Sequence, residues 1–313
     1  MTLTGTLQGA FTALVTPFTE EGDLDETALG RLLQRQIEAG IDGLVPCGTT
    51  GESPTLSAEE RDRVIDMTVE AVRAAGAVER TVVIAGTGSN DTRATIAATR
   101  RAAILGADAA LVVSPYYNKP DQRMLESHYL AIADEGDLPL VVYNVPGRTG
   151  TNIAADTLLR LAEHERIVAV KEASANLEQI MSIVRDRPEG FAVLSGDDSW
   201  TLPMLGIGGD GVISVASNEV PAVMVALCAA ARDGDWHTAR TIHERHLDLF
   251  RANFTSTNPV PVKAALAEMG LISDTLRQPL LPLAEPQRAE LRAVLAALGL
   301  IETGAATASA SAA

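Results

Sequence analysis

Lysine is scarce in this chain. Of 25 Lys and Arg residues, only Lys119, Lys171 and Lys263 are lysine, and the other 22 are arginine. Arginine supplies surface charge, but it stays protonated and cannot serve as a neutral amine nucleophile. Cysteine is scarcer still, and Cys47 and Cys228 alone give neither a disulfide framework nor a thiolate metal cluster. The histidines (His128, His164, His237, His243 and His246) fall in helical segments or in the connection before the sixth strand candidate. No carboxylate motif accompanies them, so no metal site is expected. Basic charge is in deficit: the net charge of −16 argues against nucleic acid or an anionic membrane as partner. It leaves a small anionic substrate open, because such a molecule responds to the local field of a pocket. Long apolar runs are missing too. The longest, Val220 to Ala231, is too short to span a bilayer. Met1 to Phe18 carries no basic residue of the kind that opens a signal peptide. A cytoplasmic enzyme is the expected class.

What is present is an alternation. Short apolar runs occur at Phe11–Val15, Gly43–Pro46, Val82–Ala85, Ala109–Val113, Leu140–Tyr143, Ile167–Val170, Ala192–Leu194 and Gly211–Val215. Segments with helical periodicity separate them: Leu29, Leu32, Leu33 and Ile37 share one helical face, and Ser57 with Glu60 forms a capping-box pattern. Eight strand candidates, each followed by a helix candidate, predict an α/β (β/α)8 barrel over residues 1–232. A helical C-terminal extension is expected over 233–301, with helices near Trp236 to Arg251, Pro261 to Met269 and Ala284 to Leu298. The low-complexity tail, 302–313, is expected to be disordered. A doubly wound open sheet is the alternative, but no Gly-x-Gly-x-x-Gly follows the first strand candidate. No internal repeat shows beyond the alternation itself.

The sixth run, Ile167-Val168-Ala169-Val170, leads straight into Lys171. Carrying an ammonium to the end of a strand buried on both faces is costly unless it is paired or deprotonated, which suits a Schiff-base nucleophile. The other two lysines read as ordinary, Lys119 in a Pro-flanked loop and Lys263 in a first helical turn after Asn258-Pro-Val-Pro261. Glu172 points away from Lys171 if the strand pleat continues.

In a barrel the chemistry sits at the C-terminal ends of the strands. Unusual polar residues do follow the apolar runs. Gly48–Ser53 reads either as an anion-binding loop with the Thr49 and Thr50 hydroxyls or as a plain glycine-bracketed turn. Tyr143 reads as core packing or, beside a lysine at the same level, as a proton shuttle. Arg148 reads as a loop charge or as a bidentate carboxylate ligand. Asp197 and Asp198 could cap the next helix, and would repel a phosphate where many barrels bind one. Tyr116 and Tyr117 are adjacent, so an extended chain could not turn both into one pocket.

The motifs PCGTTGES, VIAGTGSN, SPYYNKP, YNVPGRTG, VKEASANL, LSGDD, GVISV and NPVPVKAALAEMGL, in this order from about Gly9 to Leu300, resemble the dihydrodipicolinate synthase/N-acetylneuraminate lyase family of Schiff-base barrels. Gly147 stands where many members have serine. The resemblance implies a (β/α)8 barrel with a helical C-terminal region, usually a homotetramer built as a dimer of dimers, with no cofactor and no metal. It implies condensation of pyruvate with L-aspartate-4-semialdehyde in diaminopimelate and lysine biosynthesis. A related aldolase of keto-deoxy sugar acids or neuraminate is the alternative, and an inactive binding barrel a more distant one.

By the same resemblance Lys171 matches the Schiff-base lysine and Tyr143 the proton-shuttling tyrosine. Thr49 and Tyr117 match its relay partners, Tyr117 being lent by the neighbouring subunit. Thr50 and Ile213 match pyruvate contacts, Gly196 a further pocket position, and Arg148 the arginine that binds the second substrate's carboxylate. Ser53, Asn90 and Tyr116 match a lysine effector site. There Ala58 and Arg61 stand where histidines occur in a well-known version, and Ala94 where it has a glutamate. Weak or absent lysine inhibition is therefore expected.

Overall fold

A computed structural model describes residues 7–302. Eight parallel strands close on themselves in chain order. They are β1 (Gly9–Ala13), β2 (Gly43–Val45), β3 (Val82–Gly86), β4 (Ala109–Val113), β5 (Leu140–Asn144), β6 (Ile167–Glu172), β7 (Ala192–Ser195) and β8 (Gly211–Ser214). The first eight helices lie between strands or in the loop after β5: α1 (Glu26–Glu38), α2 (Ala58–Ala74), α3 (Thr92–Leu105), α4 (Gln122–Glu135), α5 (Pro146–Thr149), α6 (Ala155–Ala162), α7 (Leu177–Asp186) and α8 (Thr201–Gly206). Then α9 (Pro221–Arg232), α10 (Trp236–Ala252), α11 (Val260–Glu268) and α12 (Glu285–Ala297) follow β8. The closed barrel excludes the open-sheet alternative. The tail expected to be disordered lies, from residue 303 onward, outside the described residues.

Local chemistry accounts for many of the boundaries. Asp25, Ser57, Asp91, Asp121, Asn176 and Asp235 each precede a helix and accept a backbone N–H of its first turn. The Ser57 capping box is complete, with Glu60 reaching back to the Ser57 N–H. The four aspartates among them use the excess of acids, and all six satisfy N–H groups that a helix cannot pair internally.

Two apolar layers result from strands buried on both faces. Alternate strand residues, among them Phe11, Ile84, Leu111, Val141, Leu194 and Ile213, fill the barrel interior. The intervening ones, such as Ala10, Leu44, Ala110, Val142, Val170 and Val212, pack outward against the helices. The first strand starts two residues earlier than the apolar run suggested and stops at Ala13. Val15 instead packs with α11, and its N–H is held by Asn218 Oδ1 at 3.1 Å.

A repeat hidden from the sequence reading shows at the N-terminal rim. Asp42, Asp108 and Asp210 each stand one residue before a strand. Each accepts a backbone N–H from the preceding strand: Ala10 at 2.8 Å, Val83 at 2.8 Å and Val193 at 2.7 Å. Three of the eight seams are pinned in this way, at the rim opposite Lys171.

Lys263 overturns its ordinary reading. It is fully buried, and its ammonium is 2.6 Å from Glu52 Oε1 and 3.0 Å from the Thr16 carbonyl, over the ring of Phe18. The pair joins α11 to the loop after β2. The sequence distance of 211 residues hid the partner. Removing one member would strand the other's charge in the interior, at a cost of about 3–5 kcal/mol, whereas removing both is far milder. Lys263→Met should therefore lower the thermal unfolding midpoint sharply, and adding Glu52→Gln should restore much of it. Additive losses in the double variant would refute the pairing argument.

Candidate active site

Pairing of β5 with β6 places Tyr143 directly opposite Lys171, and Lys171 in turn opposite Leu194 of β7. Paired residues of parallel strands project to the same face. Tyr143 and Lys171 thus meet at the C-terminal mouth of the barrel, with the lysine Nζ 4.5 Å from the tyrosine ring centroid. β6 runs two residues beyond its apolar stretch, so Lys171 belongs to the strand and its backbone is fixed by the ladder. Glu172 points outward, as the pleat requires, and its carboxylate accepts from Asn144 Nδ2 at 3.1 Å and Ser174 N at 2.7 Å.

Lys171 is 5 % exposed. Burial pushes its ammonium down to about 8, the carboxylates of Asp198 and Asp197 oppose that shift, and the Arg148 guanidinium adds to it. A pKa of about 8 leaves roughly a tenth of the amine neutral at pH 7, against about 0.04% for an unperturbed lysine. Burial also raises the Tyr143 phenol, with Arg148 and the hydrogen-bonding Thr49 side chain pulling it back. Both groups are therefore held nearer to their neutral forms.

The loops complete the pocket. A cavity of about 110 Å³ is lined by Lys171, Tyr143, Thr49, Thr50, Arg148 and Gly196, among others. Gly196 is required by space: a Cβ there would lie 2.8 Å from the Ala173 Cβ and 3.2 Å from the Lys171 Cε. Thr50 is buried and accepts a hydrogen bond from Asn258 Nδ2 at 2.9 Å. Arg148 sits in α5, a single turn that Pro146 opens and Gly150 closes at φ +71°, with its side chain exposed at the mouth. A second cavity of about 260 Å³ adjoins the first. It shares Thr49, Tyr143 and Arg148 with it and adds Ser53, Arg61 and Tyr116.

Other expected site residues lie apart from these walls. Ile213 is fully buried in the barrel interior, in the same apolar cluster as Tyr143, and lines neither cavity. Tyr117 is 89 % exposed at φ +74° on the loop after β4 and lines neither cavity of its own chain. Asn90 lines neither, and its carbonyl accepts from Asn118 Nδ2 at 2.9 Å. The left-handed turn at Tyr117 is how two adjacent tyrosines take different directions, Tyr116 lining the second cavity and Tyr117 facing solvent.

The sequence reading missed Phe254 and Asn258, which reach the mouth from the connection between α10 and α11. The only signal for Asn258 was the NPVPVK motif, more than 200 residues from the loop it meets, and Phe254 had none. It also under-read the acids after β7. Asp197 caps the next turn as expected, whereas Asp198 is fully buried and accepts the N–H groups of Val215 and Ala216 at 3.1 and 2.9 Å. Its carboxyl is pushed up to about 6 by burial.

Comparison with known proteins identifies the family and the fold. A model of the dihydrodipicolinate synthetase family matches residues 6–298. The 4-hydroxy-tetrahydrodipicolinate synthase of Syntrophus aciditrophicus is 51% identical over 294 residues, 94% of this chain and 99% of that one. Among solved structures, dihydrodipicolinate synthase of Aquifex aeolicus superposes with a TM-score of 0.90 at 45% identity, covering 95% of this chain and all of that one. The chloride-inhibited dihydrodipicolinate synthase of Acinetobacter baumannii, complexed with pyruvate, gives 0.91 at 44% identity, covering 95% and 100%.

The lowered lysine has a direct check. Acetylation of Lys171 by trace acetic anhydride, a reagent that does not itself titrate, read by peptide mass and corrected for reagent hydrolysis, should speed up about tenfold per pH unit below pH 8 and level off above it. A rate still climbing beyond about pH 9.5 would restore the ordinary lysine value.

Proposed function

The chain belongs to the dihydrodipicolinate synthetase family, and from that premise we propose how its strand ends carry out the family's chemistry. It condenses pyruvate with L-aspartate-4-semialdehyde to give 4-hydroxy-tetrahydrodipicolinate. The observation that carries the site assignment is the opposed pair in the mouth: an amine lowered to about 8 lying against the Tyr143 ring.

Pyruvate enters with its carboxylate toward Thr49 and Thr50. The neutral Lys171 amine adds to the keto carbon, and Tyr143, relayed through Thr49, delivers the proton with which the carbinol oxygen leaves as water. A methyl proton is then lost, giving an enamine. Its terminal carbon forms the new bond to the aldehyde carbon of the second substrate, whose carboxylate Arg148 holds, and the aldehyde oxygen takes up a proton. The second substrate's own amine adds to the imine carbon, the bond to Lys171 breaks, and the ring closes. One water leaves in all, at Schiff-base formation, and the lysine returns unchanged.

Borohydride added with pyruvate should leave one reduced pyruvyl group on the chain, mapped to Lys171 and absent from Lys171→Ala. An adduct retained in that variant would defeat the assignment. Tyr143→Phe should cut turnover by about 10²–10⁴. Arg148→Ala should lower kcat/KM for the aldehyde by roughly 10- to 150-fold, the cost of a lost charged hydrogen bond. Cleavage of sugar acids alone, without this condensation, would favour the related aldolases instead.

We also place Tyr117 in a neighbouring subunit's site within a homotetramer. Its exposure and left-handed backbone support that reading. Sedimentation giving a monomer with full activity would exclude it. Two buried, unpaired thiols fit the reducing cytoplasm, and disulfide formation in the purified native protein would count against that location. Ser53, Asn90 and Tyr116 form at most a degenerate lysine effector site, for the second cavity holds Arg61 and no carboxylate on its wall. Initial rates should stay nearly flat at submillimolar lysine, and a sharp fall would restore the effector reading.

A further inference from the structure

The connection between α10 and α11 brings Asn258 against Thr50, 208 positions away in sequence. Both residues are buried, at 6 % and 2 % exposure, and both line the cavity that contains Lys171. The Asn258 Nδ2 donates to the Thr50 Oγ1 at 2.9 Å. A threonine hydroxyl has one proton and two lone pairs. Once a lone pair is committed to the asparagine, the proton is free to be donated elsewhere, and the cavity lies beside it. The Asn258 Oδ1, meanwhile, is buried without a partner. An amide kept only to bind two pieces of chain would have both ends satisfied. Here the donating end alone is used, and it is used on a pocket hydroxyl.

The asparagine is itself held firmly. Five residues on, Lys263 forms the buried pair with Glu52, two residues after Thr50. The Arg277 N–H also donates to Glu52 Oε2 at 3.1 Å. The C-terminal region thus grips the Thr49–Glu52 loop at several points, of which Asn258 is the one that lines the reaction cavity.

We propose that Asn258 is a positioning residue: it orients the Thr50 hydroxyl as a donor toward the carboxylate of pyruvate. The inference rests on the pyruvate reading above. A carboxylate in the cavity then gains a charge-assisted hydrogen bond that costs no reorientation when substrate arrives.

The experiment is borohydride trapping of Lys171 across a pyruvate series in wild type, Asn258→Ala, Thr50→Val and the double variant, alongside steady-state kinetics. Asn258→Ala and Thr50→Val should each raise half-saturating pyruvate by about 10- to 100-fold, mostly as KM rather than kcat. Since one acts through the other, the double variant should be little worse than the poorer single. Asn258→Asp keeps the shape and so guards against misfolding. It accepts the Thr50 proton and adds negative charge, and it should weaken pyruvate more than alanine does. Multiplicative effects in the double variant, a loss confined to kcat, or an aspartate milder than alanine would each overturn the proposal. If pyruvate labels the wild type and the variants keep its half-saturation, this inference alone falls. If the wild type is not labelled, the pyruvate reading falls and takes this inference with it.

Discussion

A parallel sheet closed on itself forces every strand to finish at the same rim. All eight strands here run the same way and pair in chain order, so each loop after a strand faces a common mouth. Residues far apart in the chain become neighbours there because the ladder has a fixed register. Tyr143 meets Lys171 for no other reason than that β5 and β6 pair at that level. The opposite rim bears a different load. Asp42, Asp108 and Asp210 spend their carboxylates on backbone N–H groups of adjacent strands, holding the seams from below. Stability and chemistry are thereby assigned to opposite ends of one sheet, as is usual in such barrels.

Within the mouth, desolvation is the dominant effect. Lys171 is displaced downward because water is excluded, and the nearby acids restore only part of the loss. Asp198 offsets only part of that loss, and its carboxyl is occupied with the N–H groups of Val215 and Ala216. The outcome is an amine that is charged much of the time near neutral pH yet supplies a useful neutral fraction. Lys263 presents the contrasting solution. It is equally buried, but a carboxylate lies 2.6 Å away, which suits an anchor and not a nucleophile. Two lysines, similar in burial, differ by one ion pair, and the one without it is the one proposed as nucleophile.

The C-terminal helices do more than cover the barrel. They send Phe254 and Asn258 into the mouth and clamp the Thr49–Glu52 loop through Lys263 and Arg277. A loop that follows Gly48, contains Gly51 and ends in a left-handed Glu52 at φ +51° has little rigidity of its own. Clamping from outside makes it a fixed wall, and a fixed wall is what a small substrate with few contacts requires.

Much was legible before any tertiary structure was in view. Strand and helix alternation, an N-cap such as Ser57, and an isolated lysine at the end of an apolar run are local properties. Each depends on residues a few positions apart, where periodicity and hydrogen-bonding chemistry act directly. That was enough for a barrel with its chemistry on the strand ends, and for Lys171 beside Tyr143. Other features could not be read this way. Lys263 with Glu52, Asn258 with Thr50, and Asp198 with the loop after β8 are contacts between distant segments, and no local pattern announces them. Their roles depend on burial and on which partner fills the remaining hydrogen-bond valence. Those are decided only when the closed barrel and the helices behind it bring the segments together and exclude the water between them.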